Sequence, residues 1–319
     1  MDMLNDCKIE WNILSPQEWE ERFSRIPRSN LLQSYDYVRA VCSLQHLRGR
    51  WGLVTIDGVE AGLVQILETG VFKNALHAVI LDRGPLWFDG FGGAGHSIAF
   101  FKTFNNEFPR RFGRRRRVIP EIPDRPEMRA MMVENGFKRL DRPGYQTICL
   151  NLESDMGTLW QNMESSWRNK VRKAEKAGLE LAWDTQGKEI PAMLRIYQSE
   201  KATKGYDGPS VPLLQSMADV FLKGDNVLAG LARKEGRAVA AALIFCCGAG
   251  ATYQVGWSTD EGKSVAAHNL LLWNAIGVLK ERGIRYFDLG GANDETAQGV
   301  KKFKQGMGGE MLTLAGHYI

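Results

Sequence analysis

The sequence predicts a mixed α/β (α+β) protein built from two similar domains. Its 319 residues are too many for one average domain and enough for two. In each half, over residues 9–137 and 150–309, the apolar periodicity predicts helices, then a strand meander, then another helix and strand. A strand at 145–152 joins the halves, so we expect domains over residues 1–147 and 148–311.

The composition is that of an ordinary globular enzyme. Hydrophobic residues make up 44% and charged residues 24%, and the net charge of +4 is too small to identify a nucleic-acid-binding protein. The cysteines form no CxxC pattern, which favours a reducing compartment and predicts no zinc or other metal site. No apolar run resembles a signal peptide or a membrane span, so we expect a soluble, cytoplasmic protein.

The first half opens with two predicted helices. Ser15 precedes Pro16, and Glu18 completes a capping box, so a helix begins there. The second helix covers residues 31–41 and carries a polar and aromatic rim that includes Gln33, Tyr37 and Arg39. A solvated amphipathic helix explains the same rim.

Strands and a basic segment follow. Two apolar runs around Asp57-Gly58 predict a hairpin, a strand is expected at 76–81, and helices at 97–108 and 127–135. Residues 110–118 contain six arginines, a residue type that suits phosphate or RNA backbone. We therefore regard four of them as candidate contacts to an RNA donor: Arg114, Arg115, Arg116 and Arg117. The alternative is a solvated junction between a helix and a strand.

The second half begins with a predicted amphipathic helix. Asp155 is a candidate cap, and Leu159, Met163, Trp167 and Val171 recur at helical spacing, opposite a basic face. A strand at 179–183 and helices at 190–201 and 212–222 follow. Residues 227–259 then predict a three-stranded meander, and a long helix starting at residue 266 ends at Gly283.

The segment 286–309 combines an aspartate, glycines and lysines. A short apolar strand stops at Asp288, Gly290 and Gly291 follow, and a lysine-rich run includes Lys304. Such a strand end leaves an open ledge, and the lysines can neutralise an anionic group there. A surface turn followed by a solvated charge run is the alternative.

Three motifs resemble the FemAB-like transferases, tandem GNAT-fold enzymes that add amino acids to peptidoglycan precursors. They are LLQSYDYVRAV at 31–41, WRNKVRKAEKAGLEL at 167–181 and YFDLGGANDETAQGVKKFKQGMGGE at 286–310. The arrangement of GYDG, YQVGWST and AHNLLLWNAI is similar to the wider family. The resemblance implies two GNAT-like domains with a cleft between them, and a C-terminal strand, 312–319, that returns to the first domain.

The resemblance also implies site residues. Lys304 falls where the family has its site lysine, and Arg39 stands where the family has a lysine that contacts precursor phosphates. Arg168 and Arg172 match the family's arginine-bearing helix. The full set of expected substrate-binding residues is Gln33, Tyr37, Arg39, Arg168, Asn169, Arg172, Tyr206 and Phe303.

The chemistry expected is direct attack of an amine on an activated carbonyl, because no Ser-His-Asp constellation is present. We expect Lys304 to stabilise the oxyanion or to anchor an anionic group. Asp288 is a candidate for orienting the amine, or else caps the glycine turn. His268 is a candidate for proton removal, or else a surface or capping histidine.

The donor stays open between two chemistries, neither of which requires a bound cofactor. GNAT enzymes that use coenzyme A carry a Q/R-x-x-G-x-G/A loop, and DEGKSVAAHN at 260–269 lacks that pattern. It also brings Asp260 and Glu261 near the expected phosphate position. This departure fits an aminoacyl-tRNA donor, although Lys263 and the following helix N-terminus can still hold acyl-CoA.

Three functions are therefore weighed. The first is aminoacyl transfer from tRNA to a muramyl-peptide acceptor of peptidoglycan type, with peripheral contact to a lipid-linked precursor. The second is acyl transfer from acyl-CoA, or from an acyl carrier, to a small amine. The third is a non-enzymatic binding protein of the same fold.

Overall fold

The computed structural model describes residues 6–205, 208–293 and 298–319. The chain forms two compact units, which are named here by their residues. The first unit comprises the described residues up to Gln146 together with Thr313–Ile319, and the second unit comprises Thr147–Leu312. Within the described ranges, none of the helices has both the length and the apolar composition that crossing a bilayer requires.

The first unit alternates short helices with a mixed sheet. A 3-10 turn at Leu31–Gln33 precedes its second helix. Its elements are β1 Cys7–Trp11, α1 Pro16–Phe23, α2 Tyr35–Leu44, β2 Arg48–Ile56, β3 Val59–Val71, β4 Leu76–Gly84, β5 Leu86–Trp87, α3 Ala94–Glu107, β6 Arg114–Pro120 and α4 Pro126–Glu134.

The sheet of the first unit has the order β1-β2-β3-β4-β6, with β5 also paired to β3. The first three pairs are antiparallel, whereas β4 and β6 run parallel. α3 supplies Phe100, Phe101 and Phe104 to the core, and all three are fully buried. Tyr318 from the chain's C-terminal segment joins this core and bridges to Val118.

The second unit contains a larger sheet and more helices. A 3-10 turn at Leu222–Gly224 follows its fourth helix. Its elements are β7 Gln146–Asn151, α5 Met156–Asn162, α6 Ser165–Glu175, β8 Glu180–Asp184, α7 Ile190–Lys204, α8 Val211–Phe221, β9 Val227–Lys234, β10 Arg237–Cys247, β11 Gly250–Ser258, α9 Asp260–Ser264, α10 Ala267–Glu281, β12 Tyr286–Gly291, α11 Gln298–Gln305 and β13 Glu310–Thr313.

Seven strands in the order β13-β7-β12-β11-β10-β9-β8 form the sheet of the second unit. β9, β10 and β11 are the predicted antiparallel meander. β12 joins its edge parallel to β11, through the residue pairs Gly250↔Tyr286 to Thr252↔Asp288. α10 buries Leu271, Leu272 and Ile276 against the sheet, in the same core as Trp167 of α6. The sheet and α10 together form the scaffold on which the site is built.

The structure differs from the sequence-based expectations in three places. The helix expected through Met163 is two helices, because Met163 itself is extended (φ −67°, ψ 146°). The arginine run lies on β6 from Arg114 onward, and only its first part, 110–113, is a junction. At the C-terminal end, the lysine run belongs to α11, and the last strand is Glu310–Thr313 rather than the expected 312–319.

Candidate active site

A cavity of about 330 Å³ opens in the second unit where the pairing of β11 with β12 stops. β11 continues along β10 to Ser258, so its residues beyond Thr252 line the opening. The start of α10 lines it too. The full lining consists of Lys170, Glu200, Tyr253, Gly256, Trp257, Ser258, Gly262, Lys263, Ala266, His268, Asn269 and Phe303.

A tyrosine-histidine pair lies in the wall of this cavity. The Tyr253 hydroxyl and His268 Nε2 share a hydrogen bond of 2.9 Å. Burial lowers the pKa of His268 to about 4, against an opposing interaction with the backbone of Trp257. The ring is therefore uncharged at neutral pH and can orient the tyrosine hydroxyl without adding a positive charge. Gly256 is required here, because a Cβ at that position would overlap the Tyr253 hydroxyl.

Three buried side-chain nitrogens of the cavity wall have no hydrogen-bond partner among the described residues: Trp257 Nε1, Asn269 Nδ2 and His268 Nδ1. The first two are N–H donors, and Asn269 is only 5% exposed. A buried donor left unsatisfied costs about 1–3 kcal/mol, so an acceptor oxygen of a ligand is a favourable partner. Ala266, immediately before α10, has φ +58°, which an L-residue rarely adopts. This sharp entry brings Asn269 to the cavity within the first turn of α10.

Lys304 lies behind this wall on α11. It is 7% exposed, and its Nζ donates to the backbone oxygens of Gly290 at 3.2 Å and Gly291 at 2.8 Å. The same Nζ is 6.0 Å from the ring centroid of Tyr253. Burial lowers the pKa of Lys304 to about 8, although the Asp288 carboxylate opposes this shift. An ammonium has three donors, and backbone oxygens of the described residues account for two of them.

Asp288 closes the glycine turn from the β12 side. Its Oδ1 accepts from the backbone N–H of Gly290 at 2.8 Å and from the Thr147 hydroxyl. Gly290 has φ +74°, a conformation that favours glycine. The Asp288 carboxylate therefore fixes the turn whose two backbone carbonyls accept hydrogen bonds from the Lys304 ammonium. Capping this turn is the alternative role that the sequence predicts for Asp288.

Residues 161–305 match a family model described as an acetyltransferase (GNAT) domain. The second unit therefore resembles a GNAT domain over most of its length. This confirms the expected acyltransferase class for that unit. No curated protein is a significant sequence match to the chain.

Solved structures resemble the whole chain, although at low sequence identity. The crystal structure of FemX covers 97% of this chain and 96% of its own, with a TM-score of 0.76 and 15% identity. A conserved protein of unknown function from Bacteroides thetaiotaomicron covers 98% of each chain, with a TM-score of 0.61 and 11% identity. The C-terminal domain of a putative lysylphosphatidylglycerol synthetase from Agrobacterium fabrum covers 95% of this chain and 92% of its own, with a TM-score of 0.52 and 14% identity. The resemblance to FemX confirms the predicted fold.

Several residues predicted for the second unit lie away from the cavity. Arg168 donates to the backbone oxygens of Met163 and Gln161 at the end of α5. Arg172 stacks over Trp160 and donates to the side-chain oxygen of Asn169. The basic face of α6 reaches the cavity through Lys170 instead. Tyr206 lies outside the described residues.

Two other predicted residues do line the cavity of the second unit. Phe303 contacts the rings of Trp167 and His268. Lys263 forms an ion pair of 2.8 Å with Asp260, which raises the lysine pKa. Glu261, the other acid expected near a donor phosphate, pairs with Lys234 at 3.1 Å and with Arg237 at 3.7 Å. Both acids of the α9 loop are therefore neutralised locally.

The predicted residues of the first unit serve mainly its own structure. Gln33 is buried, and its amide bonds Gln65 on β3 and the Asp82 carbonyl on β4. A contact with substrate would require this amide to leave those partners. Burial, followed by the nearby Asp82 carboxylate, raises the pKa of Tyr37 to about 12. Arg39 is half exposed and pairs with Asp36 at 3.5 Å.

The four arginines of β6 alternate between the faces of the strand. Arg116 is buried and bonds Asn105 and the Phe108 carbonyl, whereas Arg117 pairs with Asp82. Arg114 is half buried against His77 at 3.2 Å. Arg115 is exposed. The run therefore does not form one continuous face, and an RNA contact by all four stays a prediction.

Sequence reasoning missed most of the cavity wall, including Lys170, Glu200, Tyr253, Trp257 and Asn269. Tyr253 lies within the YQVGWST segment that carried the family resemblance, and Asn269 follows His268 directly. Their roles depend on where β11 loses its partner and where α10 begins. Those are tertiary features, and no spacing within the sequence indicates them.

Proposed function

We propose that this protein transfers an aminoacyl group from an aminoacyl-tRNA to the amine of a peptidoglycan-type acceptor. The reaction is direct attack in the cavity of the second unit. The observation that carries this proposal is a carboxylate, Glu200, on the wall that also contains Tyr253 and Asn269. An aminoacyl group has an α-ammonium that a carboxylate attracts, whereas a simple acyl group has none.

The cavity offers groups for each stage of such a transfer. The acceptor nitrogen forms a bond to the ester carbonyl carbon, and negative charge develops on the carbonyl oxygen. The N–H groups of Trp257 and Asn269 are suited to that charge, and the Lys304 ammonium, 6.0 Å from the Tyr253 ring, adds a positive charge behind the same wall. The carbon–oxygen bond to the terminal ribose then breaks, and the ribose oxygen takes up the proton that the amine loses. The Tyr253 hydroxyl, oriented by neutral His268, is suited to relay that proton.

Two of the structural relatives have names consistent with this proposal. The synthetase from Agrobacterium fabrum is named for a product in which lysine is attached to phosphatidylglycerol. FemX carries the name of the family that the sequence motifs resemble. The shared fold supports aminoacyl transfer as a class, and the acceptor rests on the motif resemblance.

The test compares an aminoacyl-tRNA with its N-acetylated form, which lacks the α-ammonium. For the wild type, acetylation is expected to raise KM about tenfold, the value of one charge-assisted hydrogen bond. Glu200→Gln is expected to raise KM for the free aminoacyl form by a similar factor and to leave the acetylated form unaffected. Glu175→Gln, an exposed change on α6, is the matched control. Equal KM values for both forms in the wild type would remove the basis of the proposal.

Acyl-CoA is the second candidate donor, and a specific observation favours it. Asp260 and Glu261 are paired with lysine or arginine, so they do not repel a pyrophosphate at the start of α10 as strongly as their sequence position suggests. Titration with acyl-CoA, charged tRNA, uncharged tRNA and a UDP-linked muramyl peptide separates the donors. Saturable acyl-CoA binding without tRNA binding favours this second function.

A further inference from the structure

Two chain segments meet at one end of the first unit's sheet. One is the turn 72–75 between β3 and β4, and the other is the loop 110–113 that leads into β6. The Arg111 guanidinium donates to the Ala75 carbonyl at 3.0 Å, and the His77 N–H donates to the Gly113 carbonyl at 2.8 Å. A Cβ at Gly113 would overlap the Ala75 carbonyl, so glycine is what allows the segments to approach. They form one surface, the sheet-end patch.

The sheet-end patch exposes large apolar side chains. Phe112 is 100% exposed and Phe72 is 81% exposed. Val71 and Leu76, which face each other across the hairpin, are each about half exposed. Phe72 also has φ +51°, which costs a non-glycine residue about 1–2 kcal/mol. Among the described residues, no neighbouring side chain covers either phenylalanine ring. Adjacent exposed apolar side chains of this kind mark an interaction surface.

A strongly basic cavity adjoins the apolar tip. Its volume is about 690 Å³, and it is lined by Arg110, Arg111, Arg114, Arg115, Arg116 and Ile319. None of the described residues on this lining has an acidic side chain. Arg116 is 6% exposed, and its Nε has no acceptor among the described residues. Burial, and then the charges of Arg110 and Arg114, lower the pKa of Arg116 to about 10. The arginines of the cluster therefore repel one another, and the described residues of the lining offer them no carboxylate side chain, although Glu68 lies near Arg114.

Three properties together select the partner. The arginines require an anion, and guanidinium groups suit phosphate oxygens in particular. The exposed phenylalanines require an apolar environment, and they sit on turns that project beyond the last strand pairs. The aliphatic Val71 and Leu76 beside them offer no flat ring for a nucleobase, whereas lipid chains accept aromatic and aliphatic side chains alike. An anionic phospholipid bilayer meets these requirements, because it presents phosphate groups above an apolar layer.

We propose that the sheet-end patch docks the protein on anionic phospholipid membranes. Phe72 and Phe112 insert into the interface between headgroups and acyl chains, and the arginine cavity binds lipid phosphates. The proposal concerns attachment to a surface and does not depend on which acyl group the second unit transfers. Its test therefore measures binding without turnover.

The experiment is co-sedimentation of the full chain with vesicles. One set is pure phosphatidylcholine, and the other contains phosphatidylglycerol in addition. The wild type is expected to bind the anionic vesicles and to bind them less tightly as salt rises. Replacing both phenylalanines, Phe72→Ser with Phe112→Ser, is expected to lower the partition coefficient at least about tenfold, since each ring loses a burial worth more than 1 kcal/mol.

Control variants show whether a loss of binding is specific to the sheet-end patch or follows any change in surface hydrophobicity or charge. Val59→Ser removes another exposed apolar side chain, at the start of β3 and outside the sheet-end patch, and is expected to leave binding unchanged. Arg110→Glu with Arg115→Glu is expected to lower binding about tenfold or more, because each arginine near an anionic surface contributes about 1 kcal/mol. Arg125→Glu, an exposed charge reversal at the N-cap position of α4, is the control. These exposed positions leave the fold intact, which thermal unfolding checks.

Several outcomes would overturn the proposal. Equal binding to neutral and anionic vesicles, or wild-type binding by the double phenylalanine variant, would each do so. A third is that the wild type ignores vesicles but binds a single-stranded RNA oligonucleotide, and that the arginine and phenylalanine variants lose this binding. The patch would then be a nucleic-acid surface, with phenylalanines that stack on bases.

Discussion

The two units differ in how far a parallel strand pair extends. In the first unit β4 and β6 stay paired from His77↔Arg114 to Gly84↔Pro120. In the second unit β11 and β12 pair only from Gly250↔Tyr286 to Thr252↔Asp288. Where the pairing continues, backbone hydrogen bonds occupy the strand edges. Where it stops, β11 becomes the wall of a cavity. Under the proposed function, this early end of pairing gives the second unit the cavity in which the transfer takes place.

Two individual buried cations, one from each unit, differ in their partners. Arg83 in the first unit forms a two-bond ion pair with Glu121, at 2.8 and 2.9 Å. Lys304 in the second unit is held by two neutral carbonyls, and its pKa falls to about 8. A bidentate ion pair is typical of a residue that stabilises the fold, whereas a buried cation with neutral partners and a lowered pKa is typical of a residue that takes part in a reaction. The predictions below test this division.

The largest effect is expected for Lys304→Met. This change keeps the volume and removes the charge, so kcat/KM should fall about 10²–10³-fold, the usual loss when an oxyanion donor is removed. The free energy of unfolding should change by only about 1 kcal/mol, because the loss of the lysine's hydrogen bonds is offset by the removal of the cost of burying its charge. Steady-state kinetics and chemical denaturation measure the two quantities.

Arg83→Met makes the same replacement, of a buried cation by methionine, in the first unit. It should lower the free energy of unfolding by roughly 3 kcal/mol, because Glu121 loses its partner, and should leave kcat of the folded protein unchanged. Lys302→Met, an exposed change on the same helix as Lys304, controls for the loss of a lysine. If Lys304→Met lost stability and kept its activity, the division between the two units would be wrong.

Tyr253→Phe should have the next largest effect. The change removes the hydroxyl that His268 orients and leaves the ring, so kcat should fall roughly 10- to 30-fold with little change in KM. Gly256→Ala should give a similar loss, because its methyl group would displace the same hydroxyl. Normal turnover by both variants would show that this wall of the cavity is only structural.

The pH dependence follows from the lowered pKa of Lys304. The side chain is charged below about 8 and neutral above it. Since the proposed role needs the charge, kcat/KM should fall about tenfold per pH unit beyond that value. Lys304→Arg keeps the charge throughout and should remove this decline, although it lowers the plateau. A decline that persists in Lys304→Arg would come from another group.

The smallest effect is expected at the rim of the cavity. Lys263 pairs with Asp260 at the surface, so Lys263→Ala should raise the donor KM only about two- to fivefold and leave kcat unchanged. Lys223→Ala, an exposed lysine outside the cavity, is the control. A large loss of kcat in Lys263→Ala would move the reacting centre toward α9.

Local patterns predicted most of the fold. The capping box of Ser15 and Glu18, the meander of β9 to β11 and the long helix ending before Gly283 all depend on neighbours in sequence. The break at Met163 was missed because its side chain is buried on the same apolar stripe as Trp167. Helical spacing therefore continues through a residue whose backbone is extended.

The site was only partly predictable, for a physical reason. Lys304 and His268 stood out because lysine and histidine are chemically conspicuous. Glu200 and Asn269 did not, since their importance comes from facing one cavity from different helices. The basic helix α6 was identified correctly, but Arg168 and Arg172 turn to neighbouring elements and Lys170 reaches the cavity. Which member of a charged face points inward is decided by packing.

At Ala266, immediately before α10, a change that raises the melting temperature is expected to lower the rate of turnover. Its left-handed backbone costs an alanine about 1–2 kcal/mol that a glycine would not incur. Selection for thermostability alone would therefore favour glycine there. The same exchange would loosen the junction that presents His268 and Asn269. Directed evolution of this enzyme should keep position 266 fixed, because a gain in melting temperature at that residue comes at the expense of turnover.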